Sequence, residues 1–502
     1  MKTILATSTY RQLLLIETLF EKDEWVTLKP LAKEIGCSTR SLNNDILEIN
    51  KQFPPFFIET SPKIGIRLIY PDTVSIDFIY RKILTISTEI TFLELLLFED
   101  ALTTEKICTT LFISPSTFSR IVAKLKTHLE TKEIQFNHPP YVLSGNEGNI
   151  RNLFIHLILE KYTDTDLPFL AEQVAFVDSL IKTFAQVFDF PLNFPDMKLL
   201  RVIGLVNITR ISHQHVLSIE HLATQYDHLI SMLVEAPDFQ QRFSLLFGFE
   251  GTVSVIKDVF SVFLAPSFVL DSYQQTLNAT QHSLSENEFL ANFTLFLDTL
   301  HKRIPIVMSN KTQVIQEVFN LQHLFFGNNY ILFDKHSQFI KSIEKDFPNF
   351  MTILKQELHN LKFYPSFEWT DVSFNAVLYT MIIHWKNLLQ ELDRQIQPIS
   401  IGIFCDYDIE HSHFLKDLID YHFGNHVQIS LFEALNEQEA YKESAKYAIV
   451  LTNISHLNIQ SNTLICINSV PTTHDWESMR SVIATLTKDQ NLMMAKIQSP
   501  ST

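Results

Sequence analysis

Residues 28–49, LKPLAKEIGCSTRSLNNDILEI, have the pattern of two short helices joined by a tight turn. Apolar side chains recur at helical spacing up to Gly36, a residue that suits a turn, and Ser38 is a preferred N-cap for a new helix. Three apolar residues predict the buried stripe of that second helix: Leu42, Ile46 and Ile49. The pattern therefore predicts that this segment folds as a helix-turn-helix hairpin.

The face opposite that stripe is polar and cationic. Its residues are Thr39, Arg40, Ser41, Asn43 and Asn44. A short helix that braces a second helix with Arg, Asn, Ser and Thr on its outer face is the geometry that reads the major groove of DNA. An ordinary helical hairpin with a polar face has the same local pattern, so the flanking sequence has to distinguish the two interpretations.

The flanking sequence predicts a winged helix-turn-helix domain. Upstream, residues 11–20 (RQLLLIETLF) have the pattern of an apolar helix that would complete a three-helix core. Downstream, residues 56–70 (FFIETSPKIGIRLIY) predict two short strands joined by a turn at residues 61–63. We expect Lys63 and Arg67 of this wing to contact phosphates, which orient a protein on DNA without reading bases.

The same order of signals recurs further along the chain. Residues 103–111 (TTEKICTTL) predict a short helix, and Ser114 followed by Pro115 is a strong start signal for the next one. The outer face of that helix carries Ser116, Thr117, Ser119, Arg120, Lys124 and Lys126. Residues 134–145 (IQFNHPPYVLSG) predict a second wing. Two such units favour DNA binding over two coincidental hairpins.

The distribution of charge supports this interpretation. The chain of 502 residues has a net charge of −16, which by itself disfavours DNA binding. Residues 1–145, however, hold 16 Lys and Arg against 17 Asp and Glu, whereas the remaining residues hold 24 against 39. Nucleic acid would therefore be repelled outside the N-terminal part. Because that part is only near neutral, one copy would bind weakly, and we expect a homodimer.

Composition and motifs disfavour several other classes of protein. No signal peptide is visible, and no run of about 18 apolar residues predicts a membrane span. The 4 cysteines are widely spaced and form no C-x-x-C pair, which argues against a zinc site and fits a reducing cytoplasm. No H-E-x-x-H, G-x-S-x-G or Walker motif occurs. We therefore expect no enzyme activity, no cofactor, no metal site and no membrane partner.

The middle of the chain, residues 150–395, is almost wholly helical in pattern. The spacing of apolar residues predicts helices over residues 150–162, 179–188, 219–235, 289–304, 312–326 and 376–392. The chain contains 41 Phe, so the cores of these helices should be rich in aromatic side chains. The length fits two helical bundles of roughly 120 residues each.

Histidines of this region are candidates for regulatory phosphorylation. His213 and His215 lie in the polar RISHQHVLS, and His301 lies in the basic TLHKRI. A phosphoryl group adds a double negative charge that can rearrange an interface. The simpler interpretation, a surface histidine without that role, is favoured for each of the three. His384, in the apolar MIIHW, is expected in a core.

After residue 397 the pattern changes to alternating strands and helices. Strand-like runs occur at residues 399–405, 427–435, 447–453 and 463–469, and helices are predicted over residues 411–423 and 475–489. Alternation of this length is typical of a small α/β domain with a largely parallel sheet.

The order of these parts resembles the Mga and AtxA family of virulence and carbohydrate-linked transcription regulators from Gram-positive bacteria. The most specific local pieces are LAKEIGCSTRSLNNDILEIN and LSGNEGNIRNLFIHLILEKY. The resemblance implies a multidomain, mainly α fold with two winged helix-turn-helix domains, two helical PRD-like domains and a C-terminal α/β domain similar to phosphotransferase-system IIB components. The expected bounds are residues 1–72, 73–148, 149–283, 284–396 and 397–502.

The resemblance also implies a function. Such a protein would bind promoter DNA as a dimer, often through DNA shape, and respond to the sugar phosphotransferase system, whose phosphocarrier protein would be a partner. Cys405 occupies the position of the phosphorylatable cysteine of IIB enzymes, but Asp406, Asp408 and Glu410 follow it and would repel a phosphoryl group. We expect this domain to have lost phosphotransfer and to serve oligomerisation or regulation.

Two other functions stay open at this point. An RNA-binding antiterminator carries similar regulatory domains, although the N-terminal pattern predicts winged helices and not a β-sheet RNA module with stacking aromatics. A phosphotransferase-system component that acts through Cys405 is the third function, and the acidic residues after that cysteine argue against it.

Overall fold

The structure is a computed structural model. It describes residues 1–99, 102–137, 140–187, 192–219, 222, 224, 226–264, 284–324, 330–361, 369–395, 397–460 and 463–498. The chain forms two compact units, Met1–His282 with Asn320–Lys335 and Ser283–Phe319 with His336–Thr502. The second unit is therefore interrupted in sequence by a segment that folds with the first.

The first unit opens with the predicted helix-turn-helix. Its helices are α1 (Thr7–Lys22), α2 (Leu28–Ile35) and α3 (Thr39–Gln52). Gly36 ends α2 in the left-handed conformation, with a φ of 78° that a residue without a Cβ adopts at little cost. The Ser38 hydroxyl accepts the N–H of Ser41 at 3.1 Å and so caps α3. Both local signals of the sequence are confirmed.

The first wing is a small antiparallel sheet. Strands β1 (Phe57–Ser61) and β2 (Gly65–Ile69) pair along their whole length. Val26, which precedes α2, exchanges two hydrogen bonds of 2.8 Å with Ile66 and so extends the wing by an isolated antiparallel bridge to β2. Gly65 has a φ of +116°, and a Cβ there would lie 2.2 Å from the carbonyl oxygen of Val26. Glycine at this position is what lets the wing close onto the helix-turn-helix.

A second winged helix-turn-helix follows the first and confirms the predicted repeat. We call these two modules, both of which lie within the first compact unit, the winged units. Two unpredicted helices, α4 (Asp77–Ile86) and α5 (Thr88–Phe98), lie between them. The elements of the repeat are α6 (Thr104–Leu111), α7 (Pro115–Glu130), β3 (Ile134–Asn137) and β4 (Val142–Gly145). The N–H of Tyr141 donates to the Leu102 carbonyl at 3.0 Å, and this isolated antiparallel bridge corresponds to the one between Val26 and Ile66 in the first wing.

A helical domain follows the second wing in the first unit. Its described helices are α8 (Glu147–Lys161), α9 (Ala171–Val187), α10 (Phe194–Ser212), α11 (Asp227–Val234), α12 (Pro237–Phe247) and α13 (Val253–Val259). The ring of Phe176 packs against those of Phe239, Phe243 and Phe247 at centroid distances of 5.7, 5.9 and 5.8 Å. The expected aromatic core is confirmed here.

The structure of this domain differs from the sequence-based prediction at two points. Helix α10 is not predicted by apolar spacing, because residues 202–208 are all buried and no polar face marks the helical period. The helix predicted over residues 219–235 begins only at Asp227, whose N–H bonds to the Thr224 carbonyl in a turn.

Residues 330–335, which we call the strap, return to the first unit from a distant part of the sequence. Ile331 and Leu332 are fully buried in one apolar core with residues of both winged units. The carboxylate of Glu160 on α8 accepts the N–H groups of Ile331, Leu332 and Phe333 at 2.5, 2.9 and 3.2 Å. The ring of Phe333 stacks on that of Tyr80 at 4.5 Å. The strap therefore joins the same core as the winged units.

The second unit contains a further group of helices. They are α14 (Leu284–Arg303), α15 (Lys311–Leu324, whose last residues belong to the first unit), α16 (Lys335–Asp346), α17 (Pro348–Asn360), α18 (Asp371–His384) and α19 (Leu388–Asp393). The single helix predicted over residues 376–392 is wrong. The side chain of Asn310 bonds to the His384 carbonyl at 2.7 Å and to the Lys386 N–H at 3.1 Å, which stabilises a break between α18 and α19.

The predicted C-terminal α/β domain is confirmed. Its elements are β5 (Ile399–Ile403), α20 (Ile409–Phe423), β6 (Val427–Leu431), α21 (Glu437–Glu443), β7 (Ile449–Thr452), β8 (Thr463–Cys466) and α22 (Thr473–Gln498). The strand order is β6-β5-β7-β8, and every neighbouring pair is parallel. Within the described part of the chain, no helix has both the length and the apolar character needed to cross a bilayer.

The strap yields a stability prediction. Leu332→Ala should destabilise the first unit by about 2–5 kcal/mol, because the substitution leaves a cavity in the shared core. Urea unfolding, with hydrogen exchange of α4 and α8 as the local readout, measures the effect. Leu295→Ala removes a leucine that is 65% exposed on α14 and serves as the matched control. If Leu332→Ala were as stable as this control, the strap would not belong to the core.

Candidate nucleic-acid interface

The polar residues of α3 lie on the face that points away from the core. Four of the five predicted residues are exposed: Thr39, Arg40, Asn43 and Asn44. Ser41 is half-buried, because its hydroxyl lies 2.9 Å from that of Ser38 at the N-cap. Arg and Asn are the side chains that form paired hydrogen bonds with guanine and adenine in the major groove. The helix thus offers suitable chemistry on its free side.

An ion pair that sequence analysis missed fixes α3 against α1. The guanidinium of Arg11 donates to both carboxylate oxygens of Asp45, at 2.5 and 2.9 Å, and the Asp45 side chain is only 5% exposed. The hydrogen bond to Asp45 raises the pKa of Arg11. The sequence held one signal for this ion pair: Asp45 is a lone carboxylate within the buried stripe of α3, three residues after Leu42. Because the pair is bidentate, it fixes orientation as well as distance.

The far end of α3 is tied to the wing. The side-chain amide of Asn50 donates to the Ile58 carbonyl at 3.0 Å, and its carbonyl oxygen accepts the Ile58 N–H at 2.7 Å. Asn50 therefore completes the backbone hydrogen bonding at the start of β1. Helix and wing consequently form one rigid surface.

The two predicted wing cations differ in their surroundings. Lys63 is exposed in the turn between β1 and β2. Arg67 donates to Glu59 across the wing at 2.8 Å and lies over the ring of Trp25, with 4.7 Å from its guanidinium carbon to the ring centroid. The Arg67 side chain is thus held on the wing surface by Glu59 and Trp25, whereas Lys63 projects from the tip of the wing.

Helix α7 presents a second polar face. Ser116, Ser119, Arg120 and Lys124 are exposed, and Thr117 is half-buried with its N–H donated to the Ser114 N-cap at 3.2 Å. The hydroxyl of Ser119 donates to the Pro115 carbonyl at 3.0 Å. Arg120 lies near the Thr117 hydroxyl, at 3.4 Å. The outer face of α7 therefore carries one arginine among small hydroxyl side chains.

The residues before α1 connect the two winged units. Ile4 and Leu5 are buried in the core that both units share. The ammonium of Lys124 on α7 donates to the Leu5 carbonyl at 3.1 Å. Lys124 is therefore partly occupied in holding the first winged unit to the second winged unit, a role that its sequence context did not indicate.

A network of four charged side chains lies behind the second wing, and we call it the buried network: Glu147, Arg151, Arg210 and Asp258. Arg151 donates to Glu147 at 3.2 Å and to both oxygens of Asp258 at 2.5 and 3.2 Å. Arg210, which is 0% exposed, donates to both oxygens of Glu147 at 2.9 and 2.8 Å. The network links α8, which follows β4 directly, to α10 and α13.

Two of the predicted phosphorylation candidates adjoin this network. His213 is the C-cap of α10, and the carbonyl of His215 accepts a hydrogen bond from Arg151 at 2.9 Å. Both residues are half-buried, and their backbone N–H groups donate to the Arg210 carbonyl at 3.2 and 3.0 Å. The segment that carries them is thus connected to the helix that supports the second wing.

The other two histidines lie in the second unit. His301 is exposed near the end of α14, with Nδ1 2.9 Å from the Ile306 carbonyl oxygen. His384 is half-buried at the end of α18 instead of being part of a core. Its Nε2 lies 3.8 Å from the carboxylate of Glu317. His301 therefore belongs to the second unit, whereas His213 and His215 belong to the first.

Cys405 lies just beyond β5 in the C-terminal domain. Burial raises the pKa of its thiol, and the nearby Asp406 acts in the same direction. The N–H of Asp406 donates to the side chain of Asn453 at 3.0 Å, so the loop is held in place. A thiol with a raised pKa is a poor nucleophile at neutral pH. Among the described residues, no cluster of His, Cys, Asp or Glu is arranged to hold a metal ion.

Paired winged helix-turn-helix units followed by helical domains define the class of this protein as a DNA-binding transcription regulator. Within that class, the chain belongs to the Mga family. Residues 7–61 match the M protein trans-acting positive regulator (MGA) HTH domain, and residues 72–158 match the Mga helix-turn-helix domain. Residues 174–388 match the M protein trans-acting positive regulator (MGA) PRD domain.

Individual relatives agree with this assignment. A trans-acting regulator of Streptococcus pneumoniae serotype 4 is 24% identical over 481 residues, which is 94% of this chain and 97% of that protein. The capsule synthesis positive regulators AcpA and AcpB of Bacillus anthracis are similar over shorter stretches. AcpA is 24% identical over 206 residues, 41% of this chain and 43% of that protein. AcpB is 22% identical over 169 residues, 33% of this chain and 35% of that protein.

The anchor of α3 can be tested by substitution. Asp45→Asn should destabilise the first winged unit by about 3 kcal/mol, because it leaves the Arg11 charge without its buried partner. Chemical unfolding and hydrogen exchange of α3 measure the loss. Glu34→Gln, which removes a surface pair with Lys22, is the control and should cost less than about 1 kcal/mol. Equal effects of the two substitutions would show that the Asp45 pair does not anchor the helix.

Acid should weaken the second winged unit through His128 on α7. Burial, together with the nearby charge of Lys132, lowers the pKa of His128 from 6.5 to about 4. The folded state therefore favours neutral imidazole, and its stabilising effect is complete above pH 6.5 and is lost as the pH falls from 6.5 towards 4. After allowance for partial solvent exposure, we expect a loss on the order of 1 kcal/mol.

Unfolding of the wild type and of His128→Gln at pH 7.5 and pH 5 measures this dependence. His128→Gln should lose less stability between the two pH values than the wild type. The exposed His413 of α20 provides the control, since His413→Gln should leave the pH dependence unchanged. An identical pH dependence in the wild type and His128→Gln would contradict the assignment.

Proposed function

We propose that this transcription regulator binds promoter DNA by presenting α3 and α7 to the major groove. The observation that carries the proposal is the repetition of one arrangement: each helix starts at a serine N-cap, buries an apolar stripe and turns an arginine outward. The proposed groove contacts are Thr39, Arg40, Ser41, Asn43, Asn44, Ser116, Thr117, Ser119 and Arg120. The rigid attachment of both helices supports the idea that they act together on one duplex.

Lysines and arginines around these helices would contact phosphates. Lys63 at the tip of the first wing is the best placed, because it is exposed and lies outside the core. Arg67 and Lys124 would reach phosphates only by leaving Glu59 and the Leu5 carbonyl. We therefore propose a smaller contribution from these two residues.

The PRD region suggests control by the sugar phosphotransferase system, with its phosphocarrier protein as the donor. The family is regulatory, which fits a role as a sensor and not as an enzyme. We propose His213 and His215 as the leading acceptors and His301 as a further one. A phosphoryl group at His215 would place negative charge beside Arg151, which already contacts the His215 carbonyl. Such a change would act on the helix that follows the second wing.

The C-terminal domain is proposed to resemble IIB components in fold while lacking phosphotransfer. Its all-parallel sheet supports the first part, and the raised pKa of Cys405 among acidic neighbours supports the second. We propose that this domain and the helical domains form a homodimer, which would give two pairs of reading helices. A DNA-binding regulator of this kind would work in the cytoplasm.

The two alternative functions are less well supported. An antiterminator would need an RNA-binding module, and the described N-terminal residues form winged helix-turn-helix units instead. A phosphotransferase component would need a nucleophilic thiolate, which burial of Cys405 disfavours. A gel shift that compares duplex DNA with hairpin RNA separates the first alternative from the proposal.

Removal of the two outward arginines tests the interface. Arg40→Ala and Arg120→Ala should each weaken binding to a selected duplex by about 1–3 kcal/mol, because each removes a side chain that can pair with a base. Fluorescence anisotropy at fixed moderate salt measures the affinity. Arg480→Ala, at an exposed position of the C-terminal domain, is the matched control for loss of one positive charge. Unchanged affinity of both N-terminal variants would overturn the assignment of α3 and α7.

Phosphorylation can be tested on the full chain. Incubation with the phosphocarrier protein, its kinase and phosphoenolpyruvate should produce an acid-labile phosphate, because phosphohistidine hydrolyses in acid. The label should fall sharply in a variant with His213→Ala and His215→Ala, and His413→Ala should retain it. Absence of any label on the wild type would refute this part of the proposal.

A further inference from the structure

The outer face of α3 contains one apolar residue that the polar pattern conceals. Leu47 is 69% exposed, although α3 already buries a full apolar stripe on its other side. A single exposed leucine is common on protein surfaces and needs no explanation by itself. Its position relative to Arg40, Asn43 and Asn44, however, indicates a function.

Helix geometry places Leu47 near the centre of the outer face. Successive residues of an α-helix are rotated by about 100°, so Leu47 lies within about 20° of Arg40 around the axis. Asn43 and Asn44 lie within about 60° of Arg40 by the same measure. The four residues follow an i, i+3, i+4, i+7 spacing, the spacing of the base-contacting positions in a homeodomain recognition helix. Leu47 therefore occupies a position that would face a base edge.

The second winged unit repeats this placement. Leu47 follows its N-cap, Ser38, by nine residues, and Ala123 follows Ser114 by the same number. Ala123 is exposed on α7, as Leu47 is on α3. Both helices thus carry an apolar residue at one equivalent position of an otherwise polar face.

We propose that Leu47 contacts the 5-methyl group of a thymine and so makes α3 selective for thymine at one position. The C5 methyl of thymine is the apolar group that the major groove displays, and apolar side chains contact it directly. Neighbouring Asn43 and Asn44 carry the amide groups that recognise adenine, so the face suits a run of A·T pairs. This inference rests on the proposed binding of DNA by α3 and adds a determinant of sequence specificity to it.

The surroundings of Leu47 favour a base over a protein partner. An apolar partner surface requires several adjoining apolar side chains. On the outer face of α3, the neighbours of Leu47 are all polar and exposed: Asn43, Asn44, Glu48 and Lys51. Polar residues and a lysine around one methyl-sized contact match a groove with phosphate walls. The contact would be worth about one buried methyl group, or about fourfold in affinity.

The test uses deoxyuridine, which differs from thymidine only by lacking the 5-methyl group. A duplex is selected from a random pool with the full-length wild type, and each thymine is then replaced singly by deoxyuridine. Wild-type affinity should fall about fourfold at one or a few positions. Leu47→Ala should bind the two forms of the duplex equally at one of those positions, with the affinity that the wild type shows for the deoxyuridine form.

A matched control is Leu245→Ala, which truncates an 83% exposed leucine on α12 and should keep the wild-type sensitivity. Wild-type binding that is insensitive to every replacement, or equal sensitivity in Leu47→Ala, would overturn the inference while leaving DNA binding by α3 intact. If the selected duplex binds Arg40→Ala as tightly as it binds the wild type, the role of α3 fails first, and the inference fails with it.

Discussion

The buried network of Glu147, Arg151, Arg210 and Asp258 is the interaction on which the arrangement of the first unit depends. Two positive and two negative side chains lie together out of water, so their charges balance, and removal of one partner would leave another uncompensated at a cost of about 3–5 kcal/mol. Glu147 begins the helix that follows the second wing and pairs with Arg210 on α10, and Arg151 of the same helix pairs with Asp258 on α13. The wing is thus joined to the helical domain by charge pairs with fixed geometry, not only by apolar packing.

Further contacts make the two winged units a single body. Residues before α1 insert into the core behind α7, and the strap enters the same core from a distant part of the chain. Glu160 accepts three backbone N–H groups of the strap, which keeps that crossing segment in register. Because α3 and α7 are fixed within one core, a change in the helical domain would be transmitted to both helices together.

Local signals explain how much could be predicted from the sequence. Serine N-caps, Gly36 and alternating strands lie within a few residues of the elements they specify, and they predicted both winged units and the C-terminal sheet. The network and the strap could not be predicted, since Arg151 pairs with a residue 107 positions away and Glu160 with one 171 positions away. The middle of α10, residues 202–208, is buried on every side, so no polar face marked the helical period there. Among the candidate residues, exposure followed the helical period, but the hydrogen bond from Lys124 to the Leu5 carbonyl, 119 positions away, could not be predicted from the local sequence.

The central claim is that α3 and α7 form one reading surface with two separate contacts to the major groove. Protection of guanine N7 from dimethyl sulfate on a selected duplex tests it most directly, because N7 lies in the major groove. The account predicts two groups of protected guanines, one exposed again in Arg40→Ala and the other in Arg120→Ala. A single protected group that both variants expose together, or a pattern that neither variant changes, would contradict it.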